Sequence, residues 1–288
     1  MSASASQINA QLTNYARGLA QDRASALAEF LAPTVTTGAA SGQYKRYSDK
    51  NAFQTYDTAR AIGGSARRIE FQADDPTFNC QPQALEIGID DHERELAGVT
   101  DPLGLEQAKI STLVSNAVVG HEVKVLAAIN AALTAVGGKG VWSDSTVDPV
   151  AELDEQIAAI SDEIGMMPNR IAFGLGAWRI FRNHPKVIER QPGASVIGVT
   201  AGQASQMVLN PGIDIRVGVL SKDANKFGKA KSASNIVGAE VYVFYNSPSP
   251  STFDASFAKT FMTQGGGVDA VRQYRDDRSR SDIYAVDW

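Results

Sequence analysis

Met167-Pro-Asn-Arg-Ile-Ala-Phe-Gly-Leu-Gly-Ala-Trp-Arg-Ile-Phe-Arg-Asn-His-Pro185 is the stretch on which the fold turns. Asn169 to Gly174 reads as a short strand and Ala177 to Asn183 as a short helix, ended by His184-Pro185 because a residue before proline avoids the helical region. His184 is then expected at that helix's C-terminus, where the dipole favours it. Gly174-Leu-Gly176 stands between strand and helix, as a dinucleotide-binding loop would. Arg179 occupies the third glycine position, however, and no following strand offers a ribose-binding acid. The glycines read as a structural turn.

Outward from this stretch the pattern stays mixed. Downstream, Ile213, Ile215, Val217 and Val219 alternate with polar or small residues, the mark of a half-buried strand. Ala239 to Tyr245 is apolar on both faces and reads as a central strand. Ile283 to Trp288 alternates around Tyr284, Val286 and Trp288. Upstream, Asp148-Pro149 opens a helix that Gly165 closes, with Val150, Leu153, Ile157, Ile160 and Ile164 on one face. Glu152, Asp154, Glu155, Asp162 and Glu163 occupy the other.

Before that, Asp101-Pro102 reads as N-cap and first turn of a helix running from Leu103 to Val136, stopped by Gly137-Gly138. Such a helix is about 50 Å long. Its broad apolar face predicts that most of its circumference is covered. Further upstream, Arg67 to Gln72 and Phe78 to Cys80 alternate on either side of Asp74-Asp75-Pro76 and predict a long hairpin. Beyond Pro82 the apolar set shifts parity to Leu85, Ile87 and Ile89, as a bend in an edge strand would require. Tyr44 to Arg60 is aromatic and charged without a period, so it is expected to lie against something else. Residues 1 to about 32 read as a mobile arm with a helical piece around Leu19, Leu27, Phe30 and Leu31, stopped at Pro33. Thr34 to Gln43 reads as a linker. No strand–helix alternation is long enough for a doubly wound sheet, and the class is α+β.

Composition removes several functions. The chain has 288 residues with 27 Lys plus Arg against 32 Asp plus Glu, a net charge of -5. That balance argues against tight, large-area binding to nucleic acid. The single cysteine, Cys80, excludes an internal disulfide and a Cys-rich zinc site. His92, His121 and His184 are too far apart in sequence for a His-rich cluster. Met1-Ser-Ala-Ser-Ala-Ser lacks the pattern of a secretory signal. The uncharged apolar runs Ile110–Gly120 and Val125–Val136 fall short of the roughly 20 residues a bilayer span needs, so no membrane partner is expected.

The search for chemistry is negative. Gly120-His121-Glu122 begins like a zinc-protease helix, but Val125 stands where the second imidazole must be. Gly228-Lys229 has Asp223 in place of the first glycine of a phosphate loop. No serine lies in a nucleophile elbow. Cys80 reads as a small buried hydrophobe. The pairs Asp74-Asp75, Asp90-Asp91 and Asp276-Asp277 read as turn-forming and solvated. Arg272, Arg275, Arg278 and Arg280, interleaved with Asp276, Asp277 and Asp282, read as a charge-laced interface or solvated face. Trp142, Trp178 and Trp288 read as packing residues. No catalytic, cofactor-binding or metal-ligating residue is assigned, and no cofactor is expected. What remains is a flexible arm, a long hairpin and an over-long helix, the parts of a subunit that completes itself against copies.

In this order the elements resemble the major capsid proteins of tailed bacteriophages, whose fold is shared with encapsulins. Three stretches carry the likeness: Asp74 to Cys80 through Ala84 to Asp91 leading into the long helix; Met167 to Pro185; and Val241 to Ser247 with Phe257 to Phe261 and Asp282 to Trp288. The resemblance implies an N-terminal arm over residues 1–42 and an extended loop over 43–90. It implies a peripheral domain with a spine helix over 91–140 and 239–288, and an axial domain over 141–238. It further implies pentamers and hexamers closing into an icosahedral shell around double-stranded DNA, held without sequence-specific contacts, in a virion assembled in the host bacterial cytoplasm. With some forty residues before the loop, a separate scaffolding protein is expected, and a portal and a decoration protein are further partners. Some relatives cross-link a loop lysine to asparagine. Lys45 and Lys50 lie in that region but have no identifiable partner, and cross-linking is not expected. An encapsulin-type compartment is the alternative within the fold, and a hydrolase with an unrecognised site the alternative outside it.

Overall fold

The computed structural model describes residues 7–8, 26–47, 55–60, 62–69, 73–97, 102–191, 198–225, 228–263 and 271–288. In chain order its elements begin with β1 (Gln7–Ile8), α1 (Ala28–Leu31), β2 (Thr34–Thr37), β3 (Ser41–Gln43), β4 (Arg46–Tyr47), β5 (Ala73–Asp74), β6 (Thr77–Asn79) and β7 (Ala84–Asp90). Then come α2 (Asp91–Ala97), α3 (Pro102–Ala132), α4 (Pro149–Ile164), β8 (Arg170–Gly174), α5 (Leu175–Arg182), α6 (Pro185–Glu189) and α7 (Ala201–Met207). The chain closes with β9 (Asp214–Gly218), β10 (Ser221–Asp223), β11 (Ala233–Asn235), β12 (Val241–Phe244), β13 (Thr260–Thr263), β14 (Val271–Asp276) and β15 (Ser281–Asp287). The class is α+β, as the sequence predicts.

Helix α4 starts and stops where its side chains require. The Asp148 carboxylate accepts the N–H groups of Val150 and Ala151 at 3.1 and 3.3 Å, Pro149 fills the first turn, and Gly165 caps the end at φ 70°. Val150, Leu153 and Ile157 are buried in one cluster with Ile171, Phe173 and Phe181. Trp142 and Trp178 lean on the same rings, Trp178 5.3 Å from Phe173 in an edge-on contact.

The sheet above this cluster runs β12-β8-β9, with β8 antiparallel to β12 and parallel to β9. The central strand is therefore β8, and β12 is an edge, against the sequence expectation. Its two apolar faces have another cause. Val241 and Val243 pack on the α4 cluster, while Tyr242 and Phe244 pack on a second cluster behind the sheet. Layers on both faces demand apolar residues whether or not a strand lies on each side.

Gly174 donates its N–H to Glu240 O at 2.9 Å, and Gly176 donates to Gly238 O at 3.0 Å. A Cβ on Gly174 would lie 2.3 Å from Gly238 O. The two glycines thus let one backbone lie against another, a structural role. His184 is corrected: it caps the start of α6, its Nδ1 accepting the Lys186 N–H at 3.2 Å while Nε2 lies 3.1 Å from Asp144 O. Proline at the first turn leaves the preceding residue extended and free to cap forward.

Helix α3 has 31 residues, about 46 Å at the standard rise, and ends at Ala132, four residues before Val136. Residues 133–138 are all exposed, so no packing rewards another turn. The expected N-cap, Asp101, lies outside the described residues. The N-terminal half of α3 puts Ile110, Leu113 and Val114 against Ile89, Tyr284 and Val286 of the antiparallel sheet β1-β14-β15-β7. Its C-terminal half puts Val125, Leu126 and Ile129 against α1 and β12. Cover is incomplete; Ala127, Ala128 and Ala131 are exposed, so the near-complete cover predicted from sequence does not exist within one chain.

By length and composition, Gly104–Ala132 is apolar enough to cross a membrane, which the short uncharged runs did not suggest. The helix instead joins two cores, and Lys109 on it pairs with Glu93 at 2.5 Å and donates to Gly88 O at 2.9 Å.

Candidate assembly surfaces

The expected hairpin exists with different strands. β3 pairs with β6 (Ser41↔Asn79, Gly42↔Phe78, Gln43↔Thr77), and β4 pairs with β5 (Arg46↔Asp74, Tyr47↔Ala73). The ribbon is thus 41–47 against 73–79, and Asp74-Asp75-Pro76 breaks one of its arms instead of forming its tip. A proline cannot donate to a ladder, so it interrupts a strand as readily as it turns one. Residues 67–69 are irregular and 70–72 lie outside the described residues, as do Asp49, Lys50 and Phe53.

The base of the ribbon is anchored. Phe78 stacks on Phe261 with ring centroids 4.3 Å apart, Tyr44 approaches the same ring at 5.4 Å, and Cys80 N–H donates to Ala40 O at 2.7 Å. Cys80 is half-buried, its Sγ 3.4 Å from Phe261 O. Farther out, cover is lost. Lys45 pairs with Asp75 at 2.5 Å, Arg67 lies over the Tyr56 ring, and Ile62 and Ile69 are exposed on irregular chain. Among the described residues no third strand joins the ribbon. Two strands without a sheet partner or a helix to cover them are marginal on their own.

The root of the N-terminal segment has the opposite character. α1 is one turn long, yet Leu27, Phe30 and Leu31 are buried. Both its ends are satisfied from far away. At the N-terminus the Leu27 N–H donates to Glu122 Oε2, on α3, at 3.0 Å. At the C-terminus Asn246 Nδ2 donates to Phe30 O and Leu31 O at 3.1 and 3.0 Å, and Arg170 Nη1 donates to Phe30 O at 2.7 Å. The guanidinium groups of Arg170 and Arg216 sit 5.0 and 4.5 Å from the Phe30 ring centre. Glu122 is wholly buried with Oε1 unpartnered among the described residues, and burial pushes its carboxyl up to about 7 against the pull of the Leu27 and Ala28 N–H groups.

The acidic pairs do what turns and ion pairs require. Asp90 accepts the His92 N–H, Asp91 holds Arg275 through both oxygens at 2.7 and 2.5 Å, and Asp276 accepts from Arg278 N and Ser279 Oγ. Arg275 also reaches Asp282, which takes Arg94 at 2.5 Å, while Arg94 continues to Glu106 at 3.0 Å. Arg275 and Asp282 therefore lace the β14–β15 turn to α2 and α3, while Arg278 and Arg280 are exposed on a solvated face. The Arg275 hydrogen bond holds the Asp91 carboxyl below its usual range.

On α4, Glu152 accepts from Gly140 N and Trp142 Nε1, both at 2.7 Å, and Asp154 accepts the Leu209 N–H at 2.7 Å. A cavity of about 750 Å³ lined by Arg190, Gln191, Thr200, Gln203, Gln206 and Met207 has no acid–base pair among its described residues. Among the described residues no group of three or more potential ligands could hold a metal ion. Sequence reasoning missed Glu122, Asn246 and Arg170 as the holders of the arm root. The one available signal was a lone carboxylate amid the apolar residues of the long helix.

No family model matches the chain. It is 23% identical over 269 residues to the major capsid protein of Burkholderia phage BcepMu, covering 89% of this chain and 84% of that one. Its fold is shared with the crystal structure of a phage-related protein from Bordetella bronchiseptica RB50, at 24% identity and a TM-score of 0.71, over 98% of this chain and 92% of the other. A chain of the capsid structure of cyanophage P-SCSP1u matches at 12% identity and a TM-score of 0.47, over 89% and 81% of the two chains. The likeness to phage major capsid proteins read from the residues is matched by the BcepMu protein.

Proposed function

We propose that this chain is a tailed-phage major capsid protein whose copies assemble into pentamers and hexamers and close an icosahedral shell around double-stranded DNA. The observation that carries the reading is the ribbon 41–47/73–79, anchored at one end, with no buried residue among the described residues 55–60 and 62–69 beyond it. Such an element gains stability by lying on a neighbour. Alignment along most of the chain with a protein named a major capsid protein supports the same conclusion.

In this reading residues 1–42 are the arm and 43–90 the extended loop. Residues 91–140 with 239–288 form the peripheral domain around α3, and 141–238 form the axial domain. The exposed small-residue side of α3 supports its use as a rod that further copies cover. The role is structural, and supporting it are carboxylates committed to caps, turns and ion pairs.

Negative-stain microscopy of concentrated protein is expected to show rings or closed shells, and a monomer under all conditions would refute the reading. Deleting residues 44–66 is expected to leave soluble subunits that do not assemble. Ordinary particles from that deletion would remove the role given to the loop. Particles from infected cells that carry DNA and a portal are expected, whereas shells filled with a cargo enzyme would favour the compartment alternative.

A further inference from the structure

The hairpin β10–β11 has no buried residue among those described. Ser221↔Asn235, Lys222↔Ser234 and Asp223↔Ala233 are paired, and every described residue in 221–225 and 228–235 is exposed. Its described residues are small or polar with Lys222, Lys229 and Lys231 against a single acid, Asp223, while Lys226 and Phe227 lie outside the described residues. That acid is consumed locally: its Oδ1 accepts the N–H groups of Asn225 and Ser232, both at 3.0 Å. Fifteen residues thus carry a charge of +3, which leaves -8 on the rest of the chain. A two-stranded hairpin whose paired residues are all exposed is marginal by itself, and its lysines leave an electrostatic contact outside the subunit open to it.

The complementary surface is on the same chain, and among the described residues no ion pair joins it to this hairpin's own lysines. Helix α4 ends with Asp162 and Glu163, both exposed, and has no basic residue in its last turn. Carboxylates at a helix C-terminus face the negative pole of the dipole, so this end of α4 is electrostatically unsatisfied until a cation approaches. We infer that the β10–β11 hairpin is an intersubunit contact, its lysines docking on the acidic C-terminal end of α4 in a second copy of this chain. The inference deepens the shell reading and rests on it. Duplex DNA is the competing occupant. A second copy is favoured because each copy brings the matching acidic helix end, in the same proposed axial domain.

The test uses the full chain. A Lys222→Glu, Lys229→Glu, Lys231→Glu variant, whose sites are all solvent-exposed, is expected to remain a folded subunit by circular dichroism and to lose at least tenfold of its assembled fraction in sedimentation at physiological salt. Adding Asp162→Lys and Glu163→Lys is expected to restore assembly to within about twofold of wild type. Unchanged assembly of the triple variant, or absence of rescue, would overturn the contact while leaving the shell reading intact. So would a wild type that binds a short DNA duplex through these lysines while the triple variant assembles normally. A wild type that never assembles defeats the shell reading, and this contact with it.

Discussion

Glu122 is the residue with the most to say about energetics. It stands in the middle of a largely apolar helix, and its carboxylate serves as the N-cap that α1 lacks, since Leu27 has no capping side chain. The arrangement satisfies a buried N–H at the cost of a buried acid. A carboxyl raised in the folded state binds its proton more tightly there than in the unfolded chain. The proton-linked stability is therefore complete below the ordinary carboxylate pKa near 4.5 and is lost as pH rises through about 7. Charged groups on the packed elements are Glu29, His121, Lys124, Arg170 and Arg216. None of them forms an ion pair with Glu122. Glu122→Gln keeps an acceptor for the Leu27 N–H and removes the ionisation. Between pH 5 and 8 its unfolding free energy is expected to gain on the wild type by up to about 3 kcal/mol. Urea titrations at both pH values check this, and a difference that does not change with pH would refute it.

At the scale of elements, legibility followed how local the determining physics was. Helix α4 was readable to the residue because its cap, proline, spacing and terminal glycine all lie within seventeen residues of one another. The end of α3 was misplaced because Gly137-Gly138 marks where a helix must stop, while packing decides where it does stop. The hairpin was found and its pairing mistaken, since alternation shows that a segment is extended without showing its partner. The edge position of β12 escapes the sequence for a similar reason. Position 120 yields a prediction at this level: Gly120 lies inside α3, and a Cβ there would meet nothing within 4 Å. Gly120→Ala is expected to stabilise the isolated subunit by about 0.5–1 kcal/mol in thermal unfolding. Destabilisation would mean that α3 needs a bend at that point.

Across the whole molecule, α3 and α1 tie separate clusters into one body. α1 belongs to the same packed group as Leu126 and Phe244, and α3 continues from there into the cluster of Tyr284 and Val286. Unfolding is expected to be a single transition. Trp142 and Trp178 report on the α4 cluster and Trp288 on the far sheet, so variants keeping only one set by Trp→Phe replacement should give coincident midpoints. Leu126→Ala should lower both by an equivalent of about 2–4 kcal/mol. Two midpoints that separate would show independent units. By itself the sequence determined the α+β class, the start and stop of α4, the turn role of Gly174 and Gly176, and the family likeness, because these rest on contacts a few residues apart or on the order of elements. Only the tertiary structure decided which strands pair, that His184 caps forward, and that a one-turn helix is held at its ends by Glu122, Asn246 and Arg170. The holders of that helix lie 95 or more residues from it in the chain, and no local pattern encodes their meeting.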